Sequence, residues 1–387
     1  MIYYGKQSIS ETDIKAVEEV LRSDFLTQGP AIEQFERTAA NYCGAKYAVA
    51  VCNATAALHI ACLSAGLDTG ELLWTSPITF VASANCGRYC GADVDFVDID
   101  EKTYNMSAVA LEEKLRRARR DNSLPKVVIP VHLAGQSCDM ARIKELSEEY
   151  GFTVIEDASH ALGADYLDTK VGSCAFSDMT VFSFHPVKIV TTGEGGMILT
   201  NNRELYERLI LFRSHGITRA PKHMTKESDG DWYYQQVALG FNYRMTDIQA
   251  ALGASQMDRL DEFVARRRYL VARYDELLGD LPLRTPFVLS GAQPSWHLYI
   301  VRIDFDRVRK TKQEIFTQMR EKGIALNLHY IPVHTQPYYE ELGFRAEDCP
   351  AAMDYYHDAL TLPLYPRLTD AEQDQVVTAL REVLTGV

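Results

Sequence analysis

The chain has no run of about 18 uninterrupted apolar residues, the length a membrane-crossing helix requires, so no membrane association is expected. It also lacks a basic excess. Lys and Arg number 40 against 53 Asp and Glu, a net charge of −13, whereas non-specific nucleic-acid binders carry a basic footprint. Any anionic ligand must therefore be held by a local site, not by the overall field. The eight cysteines, at 43, 52, 62, 86, 90, 138, 174 and 349, include no C-x-x-C pair. That argues against a disulfide scaffold or a zinc module, and no metal site is expected. Free, buried thiols in a reducing cytoplasm are the expectation. Met1-Ile2-Tyr3-Tyr4-Gly5-Lys6 lacks the charged and then apolar order of a secretory signal, which agrees with a cytoplasmic location. Internal repeats and low-complexity segments are also missing.

What is present is an alternating rhythm. The 387 residues, 47% apolar and 24% charged, suffice for two to three domains at roughly 150 residues each. Helical patterns at Ser10–Arg22, Ala54–Ala65, from about Thr79, Ser107–Arg120, Met140–Tyr150 and Arg203–Ser214 alternate with short apolar runs. Those runs, Tyr47–Val51, Leu72–Thr75, Val94–Asp98, Lys126–His132, Thr153–Glu156, Met179–Phe184 and Gly196–Thr200, read as about seven strands. Continuously apolar strands separated by helices imply a mostly parallel sheet covered on both faces, an α/β fold. After Asn242 the rhythm changes. A helical pattern from Asp247 to Leu278 leads to a proline-punctuated stretch, then a strand (Leu298–Ile303), a helix (Lys312–Lys322), a strand (Ile324–His329) and a final helix (Asp370–Leu384). The expected division is a large domain over 1–246 and, over 247–387, a long linking helix with a smaller α+β domain.

In open α/β sheets ligands sit beyond the carboxyl ends of the strands, and four such ends carry polar residues. Cys52-Asn53-Ala54-Thr55-Ala56 opens a helix with small side chains, which suits a phosphate at the helix N-terminus; Asn53 also reads as a plain N-cap. Asp157-Ala158-Ser159-His160 follows a buried strand. A carboxylate there requires a positive partner, either a structural ion pair or a protonated heterocycle. Ser183-Phe184-His185-Pro186-Val187-Lys188 precedes Thr191-Thr192-Gly193-Glu194-Gly195-Gly196, which is neither a Walker A loop nor G-x-G-x-x-G. A lysine sheltered between apolar strands is the residue type needed for a Schiff base, since desolvation frees its amine. Finally, Gly240-Phe241-Asn242-Tyr243-Arg244 either binds phosphate or caps the following helix. Taken jointly, an anion site, a strand-end Asp and a Ser five residues before a sheltered Lys are the parts needed to bind pyridoxal phosphate.

These segments resemble the DegT/DnrJ/EryC1/StrS family of nucleotide-sugar aminotransferases. The matching motifs are Leu26-Thr27-Gln28-Gly29, Pro77-Ile78-Thr79-Phe80, Glu156–Gly163, Ser183–Lys188, Gly193–Gly196, Arg213-Ser214-His215-Gly216 and Gly240–Arg244, in the family's order along the chain. Pro77–Phe80 and Asn327-Leu328-His329-Tyr330-Ile331-Pro332 look particularly like the pseudaminic acid subgroup. The resemblance implies fold type I of the pyridoxal phosphate enzymes, the aspartate-aminotransferase fold. It implies Lys188 as the Schiff-base lysine and proton shuttle, Asp157 at the pyridinium nitrogen, Phe80 stacked on the ring and His160 on the other side. Ala54, Thr55 and Ser183 would bind the phosphate, and Asn242 would reach it from a neighbouring subunit, so a homodimer with shared sites is implied. Tyr4, Leu26, Thr27, Gln28, Gly29, Asn53, Asn327, Leu328, His329 and Tyr330, with Ser183, would line the sugar-nucleotide site. His329 reads equally as a diphosphate donor or a packing residue. Two departures stand out: Asn53-Ala54-Thr55 replaces the Ser-Gly-Thr of many relatives, and His160 stands where many carry Gln.

The reaction so implied moves an amino group from L-glutamate to C4 of a UDP-linked 4-keto-6-deoxy-N-acetylhexosamine. The alternatives are another nucleotide-linked ketosugar, such as GDP-4-keto-6-deoxymannose, or a non-catalytic relative of the fold. A sugar 3-dehydrase is disfavoured because that subgroup replaces the lysine with His, and loss of Lys188 or Asp157 would have favoured the non-catalytic reading.

Overall fold

In the computed structural model, which describes residues 1–386, seven strands form one sheet. They are β1 (Tyr47–Val51), β2 (Leu72–Thr75), β3 (Asp93–Phe96), β4 (Val127–Ile129), β5 (Thr153–Asp157), β6 (Met179–Ser183) and β7 (Gly196–Thr200). Their order is β1-β7-β6-β5-β4-β2-β3, an α/β architecture as expected. Strands β2 to β6 pair in parallel, whereas β7 runs antiparallel to β1 and β6. The reason is local. No helix separates β6 from β7, so residues 184–195 turn straight back, and Lys188 lies in that turn. The turn's hydroxyls satisfy its backbone: Thr191 donates to Phe184 O, Thr192 donates to Glu194 O, and Gly193 N–H donates to Thr191 Oγ1.

Val127, Val128 and Ile129 of β4 are fully buried on both faces of the sheet, each contributing roughly 1.5–3 kcal/mol of apolar burial. Pro130, lacking an N–H, ends that strand earlier than the apolar run to His132 suggests. Helix α1 (Glu11–Leu21) has the expected Ser10 cap. A helix not anticipated from sequence, α2 (Pro30–Cys43), begins at a proline and ends at Gly44 with φ 78°. Helix α3 (Ala54–Ser64) opens after Asn53, and α4 (Ala82–Tyr89) begins beyond Thr79.

The single helix expected over Asp247–Leu278 is two helices, α5 (Asp247–Met257) and α6 (Leu260–Leu278). Arg259 breaks the run with φ −110° and ψ 8°, and its guanidinium is held 2.6 Å from the buried Asp13 carboxylate. Tertiary packing here overrides continuous apolar spacing. Helix α5 packs on α1 and α2, and the start of α6 (Leu260, Phe263, Val264) stays with the core of α2 and α5, whereas Leu270, Val271, Tyr274 and Leu278 further along α6 belong to a second core with β9 and β10. That core is built on an antiparallel sheet of β8 (Leu283–Arg284), β9 (Tyr299–Ile303) and β10 (Ala359–Leu362). β10 was not anticipated. The expected strand Ile324–His329 does not form, because its backbone divides between partners: Ile324 bridges Ile2, and Asn327 bridges Thr361. At the junction of the two cores Arg267, 1% exposed, donates through Nη1 to the carbonyls of Trp296, His297 and Leu364. No helix is long and apolar enough to cross a membrane among the described residues. All eight cysteines are free, and all but Cys52 are buried.

Candidate active site

The carboxyl ends of β5 and β6, the start of α3 and the segment 327–330 enclose a cavity of about 560 Å³. Asn53 caps α3, its Oδ1 accepting from Ala56 N–H at 2.8 Å, so the N-cap reading of this residue holds. Ala54 and Thr55, whose N–H groups are the first of the helix and have no intrahelical partner, line the cavity with Ser183. Only glycine lets β7 pass behind this turn. A Cβ on Gly196 would lie 2.5 Å from Asn53 C and O.

Asp157, 5% exposed, ends β5 and faces the cavity. One carboxylate oxygen accepts from Ser83 Oγ at 2.6 Å, the other from Ser159 N–H at 3.1 Å. Ser83 lies 2.7 Å from Thr79 Oγ1. The preceding residue, Glu156, points through the opposite face. It meets His132 Nε2 at 2.6 Å and accepts from Ser177 and Thr180. Burial opposes ionisation of Glu156, but the His132 hydrogen bond and the two hydroxyls carry its carboxyl below the usual range.

Lys188 lines the same cavity as Asp157. Burial pulls its amine down to about 8, with the Asp157 carboxylate opposing the shift. The uncharged amine is therefore far more populated near neutrality than in an ordinary lysine, as a nucleophilic lysine requires. His160 is buried, and its Nδ1 accepts from Ala134 N–H at 3.3 Å, while Nε2 lies 3.1 Å from Tyr330 Oη. Its ring meets that of His297 at a centroid distance of 4.5 Å. Burial holds both imidazoles well below the ordinary value, with the Lys188 charge next for His160 and the His160 ring next for His297. His329 is pushed down to about 3 by burial and by Lys188; its Nδ1 lies 2.9 Å from Thr361 Oγ1. Phe80, 59% exposed, stands at the rim with its ring 6.4 Å from that of Tyr330. Burial raises the Tyr4 phenol against a hydrogen bond with Asn327.

The structure thus brings Tyr4, Asn53, Ala54, Thr55, Phe80, Asp157 and His160 together with Ser183, Lys188, Asn327, Leu328, His329 and Tyr330. It does not bring Leu26, Thr27, Gln28, Gly29 or Asn242 to them within one chain. Gly29 N–H is tied to Asp247 at 2.8 Å, and Gln28 and Gly29 line a different cavity, against α2 and β1. Leu26 is exposed, and Thr27 bridges Thr246. Asn242 is exposed on the surface, its backbone bridged to Ser214. Sequence reasoning missed Ser83 and His297. Ser83 is four residues beyond Thr79, so a helical turn linking them was the available signal. His297 arrives from the second core, and nothing local marks it. No group of three or more His, Cys, Asp or Glu side chains suited to a metal ion occurs among the described residues.

This donor set suits pyridoxal phosphate: a helix N-terminus for a phosphate, a buried carboxylate for a ring nitrogen, and in the same cavity an amine with a lowered pKa. A family model described as the DegT/DnrJ/EryC1/StrS aminotransferase family matches residues 7–381. Spore coat polysaccharide biosynthesis protein SpsC of Bacillus subtilis is 39% identical over 99% of this chain and 97% of its own length. GDP-perosamine synthase of Caulobacter vibrioides is 38% identical over 92% of this chain and 91% of its own. Helicobacter pylori PseC, an aminotransferase involved in the biosynthesis of pseudoaminic acid, superposes with a TM-score of 0.90 at 29% identity, covering 100% of both chains. Spr1654 from Streptococcus pneumoniae, solved in PMP and PLP forms, gives TM-scores of 0.89 and 0.87 at 29% identity; each form covers 99% of both chains.

Proposed function

The chain belongs to the DegT/DnrJ/EryC1/StrS aminotransferase family, and on that premise we propose that it moves an amino group from an amino acid to the ketone of a nucleotide-linked sugar, with pyridoxal 5′-phosphate as cofactor. The observation that carries this reading is Lys188, its amine lowered to about 8, sharing a cavity with Asp157 and the start of α3. The cofactor, when bound, supplies an aldehyde for the amine and an electron sink for the carbanion that transamination requires.

The chain's own residues do the rest. Ala54 and Thr55 N–H groups and Ser183 would hold the phosphate, Asp157 would keep the ring nitrogen protonated, and Phe80 and His160 would contact the ring. Lys188 provides the amine and then takes and returns the proton at the substrate carbon. Asn242 of a second copy completes the phosphate site, so the working unit is a homodimer. Its exposed position on this chain suits such a reach. Tyr4, Asn53 and Asn327–Tyr330 line the sugar site from one side, and Leu26–Gly29 face it across the dimer.

The amino donor is L-glutamate and the acceptor a UDP-linked 4-keto-6-deoxy-N-acetylhexosamine aminated at C4. The full-length likeness to PseC supports this acceptor. The 38% identity to a GDP-perosamine synthase favours a second reading, GDP-4-keto-6-deoxymannose. Mass spectrometry of a competition between the two ketosugars decides it. Preferential amination of the UDP sugar is expected; faster turnover of the GDP sugar installs the second reading. A tenfold preference is only ~1.4 kcal/mol of transition-state binding, so a single hydrogen bond sets the order. If the purified chain gains no absorbance band on adding pyridoxal phosphate, both readings fall.

A further inference from the structure

The proton arrangement around His160 follows from one backbone group. Ala134 N–H can only donate, and it points at Nδ1 from 3.3 Å, so Nδ1 carries a lone pair. A neutral ring then has its proton on Nε2. That proton faces Tyr330 Oη at 3.1 Å, which must accept it. The phenol's own hydrogen is consequently turned away from His160. Tyr330 lines the same cavity as Lys188 and Asp157.

The arrangement is held at some cost. Ala134 has φ 59°, a left-handed conformation a non-glycine residue adopts against sterics. Its carbonyl accepts from His297 N–H at 2.8 Å. Next to it, Gly135 has φ 96°, and a Cβ there would strike His160 O and Trp296 N at 2.8 Å. Burial, and after it the charge of Lys188, act against a second proton on His160.

We propose that Tyr330 is an obligate hydrogen-bond donor into the cavity, oriented by His160, and that its partner is the ketone oxygen of the acceptor sugar. The inference rests on the aminotransferase reading and adds a specificity-determining group to it. Tyr330 polarises the carbonyl and selects an oxygen acceptor at that carbon. The ketone of the sugar and an oxygen of the cofactor are both acceptors, and the experiment separates them.

Tyr330→Phe removes the hydroxyl and keeps the ring. Three quantities are measured on wild type and variant: affinity for pyridoxal phosphate by titration of the cofactor-free chain, affinity of the cofactor-loaded chain for the ketosugar without amino donor, and the rate of the glutamate half-reaction. The expected result is about a tenfold loss of ketosugar affinity, the scale of one neutral hydrogen bond, with cofactor affinity and the glutamate step within about twofold. His160→Leu, which leaves Tyr330 no donor to orient it, should weaken ketosugar binding as Tyr330→Phe does, and His160→Gln, whose amide can still donate to Tyr330, should recover part of that loss. A matching loss of cofactor affinity would assign the hydroxyl to the cofactor and overturn the proposal, as would an unchanged ketosugar affinity. Nitrogen-15 NMR of His160 gives an independent check: protonated Nε2 and unprotonated Nδ1 are expected, and the reverse tautomer or a cationic ring overturns it. Failure of the aminotransferase reading itself would show in the unaltered chain, as absence of both half-reactions.

Discussion

Glu156 and Asp157 are neighbours in sequence, both at the end of β5 and both about 5% exposed, yet they occupy different chemical worlds. Glu156 meets His132, Ser177 and Thr180, so its oxygens are engaged within the protein. Asp157 receives only Ser83 Oγ and Ser159 N–H and keeps a face toward the cavity. The twofold alternation of a strand thus puts one carboxylate into the scaffold and the next into the site. A buried acid at a strand end is not in itself a functional signal. What distinguishes the two is unfilled hydrogen-bond capacity on the side that opens to a ligand.

Four measurements sharpen or break this contrast. The largest effect is expected from the partner that Asp157 faces. Lys188→Ala should fold normally and lose transfer by at least roughly 10²–10⁴-fold, the contribution of the acid–base role alone. Borohydride reduction of the loaded wild type should put the pyridoxyl mass on the peptide containing Lys188, and labelling elsewhere would refute the assignment.

Asp157→Asn comes next. The amide oxygen can still accept from Ser159 N–H, and Ser83 can turn its hydrogen to Thr79 and accept from the new NH₂, so thermal stability should hardly change. Turnover with glutamate should fall by roughly 10²–10³-fold, the scale of removing one preorganised electrostatic contact. Near-normal turnover would place Asp157 in the scaffold beside Glu156.

Glu156→Gln should behave in the opposite way. One oxygen becomes an NH₂ group, which faces either the His132 N–H or the two hydroxyl donors. Chemical denaturation should reveal a loss of about 1–3 kcal/mol, the cost of an unmet buried donor, with kcat nearly preserved. A variant as stable as wild type but slow would invert the comparison.

The smallest effects are in pH profiles of the cofactor-free chain. The Glu156 carboxyl is held low in the folded state. Its contribution is therefore complete above the unfolded value of roughly 4.3 and disappears as pH falls through the folded value. Glu156→Gln should flatten that acid limb. Lys188 is lowered to about 8. Between there and the unfolded value near 10.4, the unfolded chain holds the extra proton, so stability should rise with pH. Lys188→Met should remove that rise, and an unchanged slope would dissociate Lys188 from the effect.

The contrast also marks how far the sequence could be read. The strands of the large sheet were legible because they are short apolar runs, those from β2 to β5 separated by helices, and Lys188 because a lysine in a Gly- and Thr-rich turn between such runs has no solvent to point into. Asp157 was legible as a strand-end acid, but its difference from Glu156 was not, since His132 and Ser177 come from other elements. The break at Arg259 was hidden because the residue that holds its guanidinium, Asp13, is far away in the chain. The strand expected at Ile324–His329 failed for the same reason: its backbone partners, Ile2 and Thr361, are distant on either side. His297 depends wholly on the meeting of two cores. Leu26–Gly29 and Asn242 were singled out by motif, and their separation from the cavity within one chain makes the hybrid-dimer experiment informative. Mixing Lys188→Ala with Asn242→Ala subunits should restore part of the activity if sites are shared, and no recovery after proven subunit exchange would rule that out.

Arg267 has a different bearing, on how the site can be redesigned. Its guanidinium grips main-chain carbonyls of Trp296, His297 and Leu364, so the grip is indifferent to which side chains those positions carry. The path of the chain past the cavity and the identity of the side chain it presents there are thereby separate variables. A library at position 297 changes the wall that an acceptor sugar meets while its mounting stays in place, which makes this position a practical entry point for altering which ketosugar the enzyme accepts.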